Sequence, residues 1–466
     1  MRFHFENIGP IKKAELELGD LTIIAGRNNT GKTYLVYTLY GFLKGAASEM
    51  IVPAVVGGKA PFQSVDIKQV GKRLREEGQY KCPITPDALN KERNAVISML
   101  ARQFSEGGIA DVFSSSPGNF QRSSIKVTLD DSDCDVGGGD SLQFAIGGEN
   151  ISIRYDGRNL VFSARPFEKS SSQSHIDGFV SFSYMQFLCM RFPTPFILSD
   201  ERLGIPLFYK ELDFTKNRLV EILQNMGTEK DRDSVSPYMF LDKHASRYAL
   251  PIKHNIDYTR SIPDLVKGKG PMQDAKLDDD VETIMGGYYQ SDETGIRFVS
   301  SSREDTRFNI PLHLASSSAR GLSDLYFYLC HKAKKNHLLI IDEPESHLDT
   351  RNQIMLARML ARWVHAGIKV LITTHSDYIL KEINNLVMLS SEFDGKEKFL
   401  EEHHEYAKRE FLRRESLRGY VAEDGQLTRC RVDKFGFDMP VFDKTINDIN
   451  AVSSELDSRL DDTEEE

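Results

Sequence analysis

The segment GRNNTGKT, Gly26 to Thr33, restricts what this chain can fold into more than any other stretch. It matches GxxxxGK[ST], follows the apolar run LTIIAG and opens the amphipathic pattern TYLVYTLYGFLKG, giving strand, loop and helix in that order. Such a loop turns its backbone amides toward phosphate, and the helix start adds the positive end of its dipole. The residues expected to line the phosphates are Gly26, Asn28, Asn29, Thr30, Gly31, Lys32 and Thr33. Lys32 is expected to neutralise the β- and γ-phosphate oxygens, and Thr33 to ligate magnesium. ATP and Mg2+ are therefore the expected cofactors.

A second half of such a site is visible in LLIIDEPESHLD, where Asp342 and Glu343 end a buried apolar run. Open α/β sheets hold ligands at the carboxyl ends of their strands. Asp342 is expected to hold magnesium through water, and Glu343 to orient and deprotonate the attacking water. Two adjacent acids standing alone would read as surface turn residues; the phosphate loop is what changes that reading. The strand KVLITTH then ends at His375, placed to contact the γ-phosphate, with Ser376 and Asp377 opening a helix.

Composition narrows the class. A net charge of −10 argues against a chain whose resting state coats nucleic acid. The most basic stretch, Lys408 to Arg418, is expected on a helical segment, either as a solvated face balanced by neighbouring glutamates or as a nucleic-acid or partner site. No run reaches the ~18 apolar residues of a membrane helix, and the N-terminus reads as a strand rather than a signal peptide. The expected location is the cytoplasm. The five cysteines are far apart with no CxxC pair, which fits buried thiols and excludes a zinc hook of paired cysteines.

The order GRNNTGKT, LASSSARGLSDL, LLIIDEPESHLD and LITTHSD resembles the ATP-binding-cassette type of ATPase head found in SMC, RecF and OLD-like proteins. The resemblance covers both ends of the chain and little of the middle. It implies a P-loop NTPase α/β fold of the ABC-ATPase head type. It also implies that Ser316, Ser317 and Ser318 stand at the signature loop, where transporters carry a Ser-Gly-Gly type of sequence, and that Asp349 belongs to the loop crossing the subunit interface. In that family the signature loop closes over nucleotide held by the opposite subunit, so a dimer or higher assembly of this chain is implied. The serines also suit an N-terminal helix cap, and both roles are compatible.

The phrase FILSDERLGIPLFYKEL and the serine triplet further resemble the AAA ATPases of bacterial anti-phage systems of the Septu, PARIS and retron-associated types. This implies a separately encoded nuclease as partner, with DNA engaged indirectly and no membrane. The loop joining the site to the insert is placed between Gln186 and Arg202. Two alternatives stay open: a DNA repair or recombination ATPase acting directly on DNA, and a scaffold that ATP stabilises without hydrolysis. Fewer than a hundred residues follow His375, and they lack the acidic pattern of a fused TOPRIM nuclease.

The expected organisation is an N-terminal part of the head over 1–46 and an inserted β and helical lobe over 47–300. The C-terminal part of the head then spans 301–395, and a helix and hairpin extension with an acidic tail spans 396–466. Within the insert, a helix is expected over DALNKERNAVISMLARQF and an antiparallel meander from Ser124 to Arg165. Helical segments are expected between about 178 and 226, and a strand pair over GGYYQ and GIRFVSSS. Alternating strands and helices in the last third indicate a parallel sheet covered on both faces. The tail should turn at Asp424-Gly425 and serves equally as a docking or a packing element.

Overall fold

The computed structural model describes residues 1–46, 50–56, 61–129, 141–146, 149–164, 167, 172–208, 248–292, 294–301, 308–439 and 449–456. The chain divides into two compact units. The first comprises Met1–Leu18, Thr33–Arg260 and Asn336–Ile340, and the second Gly19–Lys32, Ser261–Lys335 and Ile341–Glu466. The fold is mixed α/β.

The chain opens with strands β1 (Arg2–Ile8) and β2 (Ile11–Glu17), then β3 (Leu21–Ala25), the phosphate loop and helix α1 (Lys32–Lys44). The opening residues, expected as one strand, fold back as a hairpin in which Ile8 pairs with Ile11. Gly9-Pro10 is a turn signal, and Gly9 takes φ +55°. A Cβ at Gly9 would sit 2.6 Å from the ring of Tyr34 on α1, so the turn also needs glycine for space.

The first unit continues with α2 (Ile67–Glu77), β4 (Gln79–Pro83), α3 (Pro86–Gln103), β5 (Ser124–Thr128), β6 (Ser141–Ile146), β7 (Glu149–Tyr155), β8 (Asn159–Ala164), α4 (Gln173–Cys189) and β9 (Thr194–Leu198). Helix α3 starts where its sequence demands, with Thr85 capping the Ala88 amide and Pro86 in the first turn. The expected meander is divided. Strands β6, β7 and β8 form it with β4 on the far side of β8, whereas β5 leaves it to pair antiparallel with β1. The junction expected between Gln186 and Arg202 contains β9 and a short 3-10 turn, Asp200–Leu203. The helical segment expected at 214–226 lies outside the described residues.

The second unit contains α5 (Asp279–Met285), the antiparallel strands β10 (Gly287–Asp292), β11 (Gly295–Ser300) and β12 (Asn309–Pro311), and α6 (Ser317–His331). Then come the end of β13 (His337–Asp342), α7 (Thr350–His365), β14 (Lys369–Thr374), α8 (Asp377–Met388), β15 (Leu417–Glu423) and β16 (Gln426–Arg429). Strand β3 lies between β14 and β15 and runs parallel to both, with Ile23 opposite Ile372 on one side and Gly419 on the other. All five residues of β3 are buried, which explains why it reads as a continuous apolar run rather than an alternating one. The sheet is mixed rather than purely parallel, because β15 turns at Asp424-Gly425 into antiparallel β16.

The basic stretch departs from the helical expectation. It forms two 3-10 turns, Lys408–Glu410 and Arg414–Ser416, before entering β15. Its backbone is bonded sideways: Phe411 O is 2.6 Å from His365 Nε2, and the Leu412 amide donates to Leu386 O at 3.1 Å. Those tertiary bonds take up groups that a helix would have bonded internally.

Among the described residues no helix is long and apolar enough to cross a membrane. Cys82, Cys189 and Cys330 are buried free thiols, and burial pushes Cys189 up to about 12. Cys134 lies outside the described residues.

Candidate functional site

The phosphate loop begins where β3 ends. Gly26 has φ +152°, and a Cβ there would meet Ala422 O of β15 at 2.6 Å. Neighbouring strand and loop are therefore too close for any side chain. Asn29 (φ +64°) and Gly31 (φ +93°) alternate with ordinary backbone, the geometry that turns successive amides into an anion-binding concavity. Thr30 Oγ1 donates to Arg27 O at 2.9 Å and braces the bend.

Lys32 opens α1 and is only 5% exposed. Its Nζ donates to Gly26 O at 2.9 Å and Arg27 O at 3.0 Å, and lies 3.9 Å from Glu343 Oε1. The first turn of α1 holds no acidic residue, so its positive end is left uncancelled. A buried ammonium, inward-turned amides and a bare helix start form a donor set that fits phosphate. Thr33 is the second residue of α1.

Asp342 is the last residue of β13 and 1% exposed. Thr373 of β14 donates its hydroxyl to Asp342 Oδ1 and accepts the Glu343 amide at 3.0 Å, so one threonine aligns both acids. Glu343 takes φ +48°, costly for a residue with a Cβ and often found at functional sites. Asp342, a hard oxygen donor at the strand end, fits a magnesium ion held with water.

His375 follows β14. Its Nδ1 is 3.7 Å from Glu343 Oε1 and 3.3 Å from Glu345 Oε1. Both carboxylate oxygens face the same ring nitrogen. Ser376 caps α8 through the Ile379 amide and donates to Gln353 Oε1 at 2.6 Å. Gln353 Nε2 donates in turn to Leu348 O at 2.9 Å, which ties the loop after Glu343 to the loop carrying His375.

The serine triplet is divided in its use. Ser316 caps α6 by accepting from the Ala319 amide at 3.2 Å, and Ser318 donates to His347 O at 2.6 Å. The Ser317 hydroxyl makes no hydrogen bond among the described residues. Asp349 caps α7, accepting from the Arg351 and Asn352 amides at 3.0 and 3.1 Å. The structure thus brings Lys32, Glu343 and His375 together, with Asp342 beside them through Thr373. Among the described residues no hydrogen bond or ion pair joins the serines or Asp349 to Lys32.

Sequence reading passed over Glu345, Thr373 and Gln353. The signal for Glu345 was present as a third acid two residues beyond Glu343, in DEPE. In the first unit, Tyr37 of α1 donates to Glu201 at 3.0 Å, which singles out Glu201 within the Gln186–Arg202 junction.

Residues 209–380 match the family model described as an AAA ATPase domain, a span that holds the serines, the acids and His375 but not the phosphate loop. No curated protein matches the chain. Among solved structures, the chain is similar to the SMC head domain from Thermotoga maritima at 10% identity and a TM-score of 0.29, covering 93% of this chain and 98% of that one. It is similar to an Smc head domain derived from Pyrococcus furiosus, bound to the C-terminal domain of ScpA, at 11% identity and 0.31, covering 97% and 98%. It is also similar to the recombination mediator protein RecF at 12% identity and 0.29, covering 92% and 97%. Identity and TM-score are low throughout, and the reading of the site rests on its own residues.

Proposed function

We propose that this chain is an ATPase that binds ATP with magnesium at Gly26–Thr33 and hydrolyses it with Glu343 as general base. The carrying observation is the convergence of Lys32 and His375 on one carboxylate, Glu343 Oε1, at 3.9 and 3.7 Å. A cation for the phosphates, a base for water and a hydrogen-bond donor for the terminal phosphate are the groups that phosphoryl transfer to water requires. Magnesium, when bound, would be held by Asp342 and Thr33 and would supply charge neutralisation. Lys32 leaves the Gly26 and Arg27 carbonyls to meet phosphate oxygens. Glu343 accepts the proton of the attacking water, and Thr373 keeps that carboxylate's backbone in place.

The same reading takes this chain to assemble with a second copy, whose Ser316–Ser318 loop completes the pocket and whose Asp349 loop lies at the interface. The free hydroxyl of Ser317 at the start of α6 supports it, since a helix start with an unused donor suits a phosphate. The biological output we assign is control of a separately encoded nuclease in anti-phage defence, in the cytoplasm. That assignment rests on the motif resemblance alone.

ATP binding and release of inorganic phosphate by the purified chain test the chemistry. The reading expects hydrolysis in the wild type and a nucleotide-loaded dimer in Glu343→Gln. Unchanged turnover in Glu343→Gln would remove Glu343 from its role. Normal defence by that variant beside its neighbouring gene would favour the scaffold alternative.

A further inference from the structure

Glu345 is 4% exposed; its Oε1 accepts the Thr374 hydroxyl and the His375 amide, each at 2.7 Å, and lies 3.3 Å from His375 Nδ1. Its other oxygen, Oε2, is buried and has no hydrogen-bond partner among the described residues. Here one oxygen grips the backbone and the ring of the same histidine. Two contacts to one residue fix both its position and its rotation, and the acceptor at Nδ1 directs Nε2 outward. Thr374 is itself held, accepting the Ser376 amide at 3.0 Å, so the whole segment Thr374–Ser376 is referenced to Glu345.

We propose that Glu345 is a positioning residue for His375: by holding both the backbone amide and the ring of that residue, it sets the position and rotation of the imidazole so that Nε2 faces the terminal phosphate of the nucleotide. This rests on the ATPase reading above for its consequence, but the Glu345–His375 contact itself does not. Glu343 lies 3.7 Å from the same Nδ1. Lys32 lies 3.9 Å from Glu343 on the same side of the site.

The test uses the full chain with Glu345→Ala, Glu345→Gln, His375→Ala and the double variant Glu345→Ala/His375→Ala. Gln keeps an oxygen where the Thr374 hydroxyl and the His375 amide converge beside the ring; Ala removes it. Expected are a kcat lower by about 10- to 100-fold in Glu345→Ala with ATP affinity unchanged, and a kcat within about threefold of wild type in Glu345→Gln. The double variant should be no slower than His375→Ala alone, because Glu345 acts only through His375. Should Glu345→Ala not fold, Glu345→Asp withdraws the acceptor by one methylene and is expected to show the same kcat loss. Unchanged kcat in Glu345→Ala, a loss appearing as weaker ATP binding, or additive losses in the double variant each overturn the proposal.

A second readout is independent of hydrolysis. In nucleotide-free protein with 15N-labelled histidine, the ring-nitrogen signals removed by His375→Ala should be alike in the wild type and Glu345→Gln, and shifted in Glu345→Ala. If the wild type binds ATP without hydrolysing it, the ATPase reading falls while this signal still decides the Glu345 contact. A signal identical in wild type and Glu345→Ala overturns the contact itself.

Discussion

Two glutamates of the second unit are equally buried, at 4% exposure each, and live in opposite surroundings. Glu382 on α8 is satisfied at both oxygens: Arg358 Nε at 2.5 Å on one, Tyr406 OH at 3.2 Å and Asn385 Nδ2 at 3.0 Å on the other. Arg362 nearby pairs with Asp280 at 3.0 Å and Glu410 at 3.6 Å. Along these helix faces each acid meets a guanidinium. At the strand ends, Asp342, Glu343 and Glu345 meet hydroxyls, amides, a histidine and one lysine at 3.9 Å. The first arrangement closes its charges internally and holds helices in place. The second leaves an acidic cluster beside a cationic loop, a separation that becomes useful when a magnesium-bound phosphate lies between them.

Substitutions separate the two regions by what they disturb. Lys32→Ala should have the largest effect, weakening ATP binding by about 100-fold or more with the fold retained, as a nucleotide titration beside a thermal melt would show. Retained affinity would detach Lys32 from the phosphates. Glu343→Gln should keep ATP affinity and lower kcat by about 100-fold or more, read from phosphate release.

Arg358→Met addresses the other region. It leaves Glu382 buried without its cation, and unfolding stability should fall by about 3 kcal/mol while kcat of the folded protein holds. A fall in kcat with unchanged stability would abolish the distinction between the two regions. The smallest effect concerns Asp280, which burial raises from 3.8 to about 6 against the opposing pull of Arg362 and Arg409. An acid whose folded pKa is raised binds its proton more tightly when folded. Its contribution is therefore lost as pH rises from 3.8 through about 6. Asp280→Asn should flatten that part of the stability profile, with an effect smaller than that of Arg358→Met.

Much of the site could be read from local order. Strand, glycine loop and helix around Lys32 are encoded within about twenty consecutive residues, and Gly26 and Gly31 adopt the positive φ that the motif predicts. The apolar runs before Asp342 and His375 are both buried strands. The C-terminal hairpin turns at Asp424-Gly425, but nothing local places β15 beside β3, where Ala422 O crowds Gly26. The basic stretch has helical composition, yet bonds to His365 and Leu386 draw it into turns. The division of β5 from the meander has the same origin, since alternation specifies a strand but not its partner.

The sequence by itself determined the chemical identities: a lysine and glycines in one loop, and two acids and a histidine at strand ends. Those follow from residue type and short-range spacing, where sterics and charge act directly. Only the tertiary structure decided which groups share a hydrogen bond. Thr373 joins Asp342 and Glu343, and Glu345 grips His375, because packing within the second unit brings the two loops together although about thirty residues separate them. Hydrogen bonds demand a few tenths of an ångström, and that precision comes from sheet register rather than from spacing along the chain.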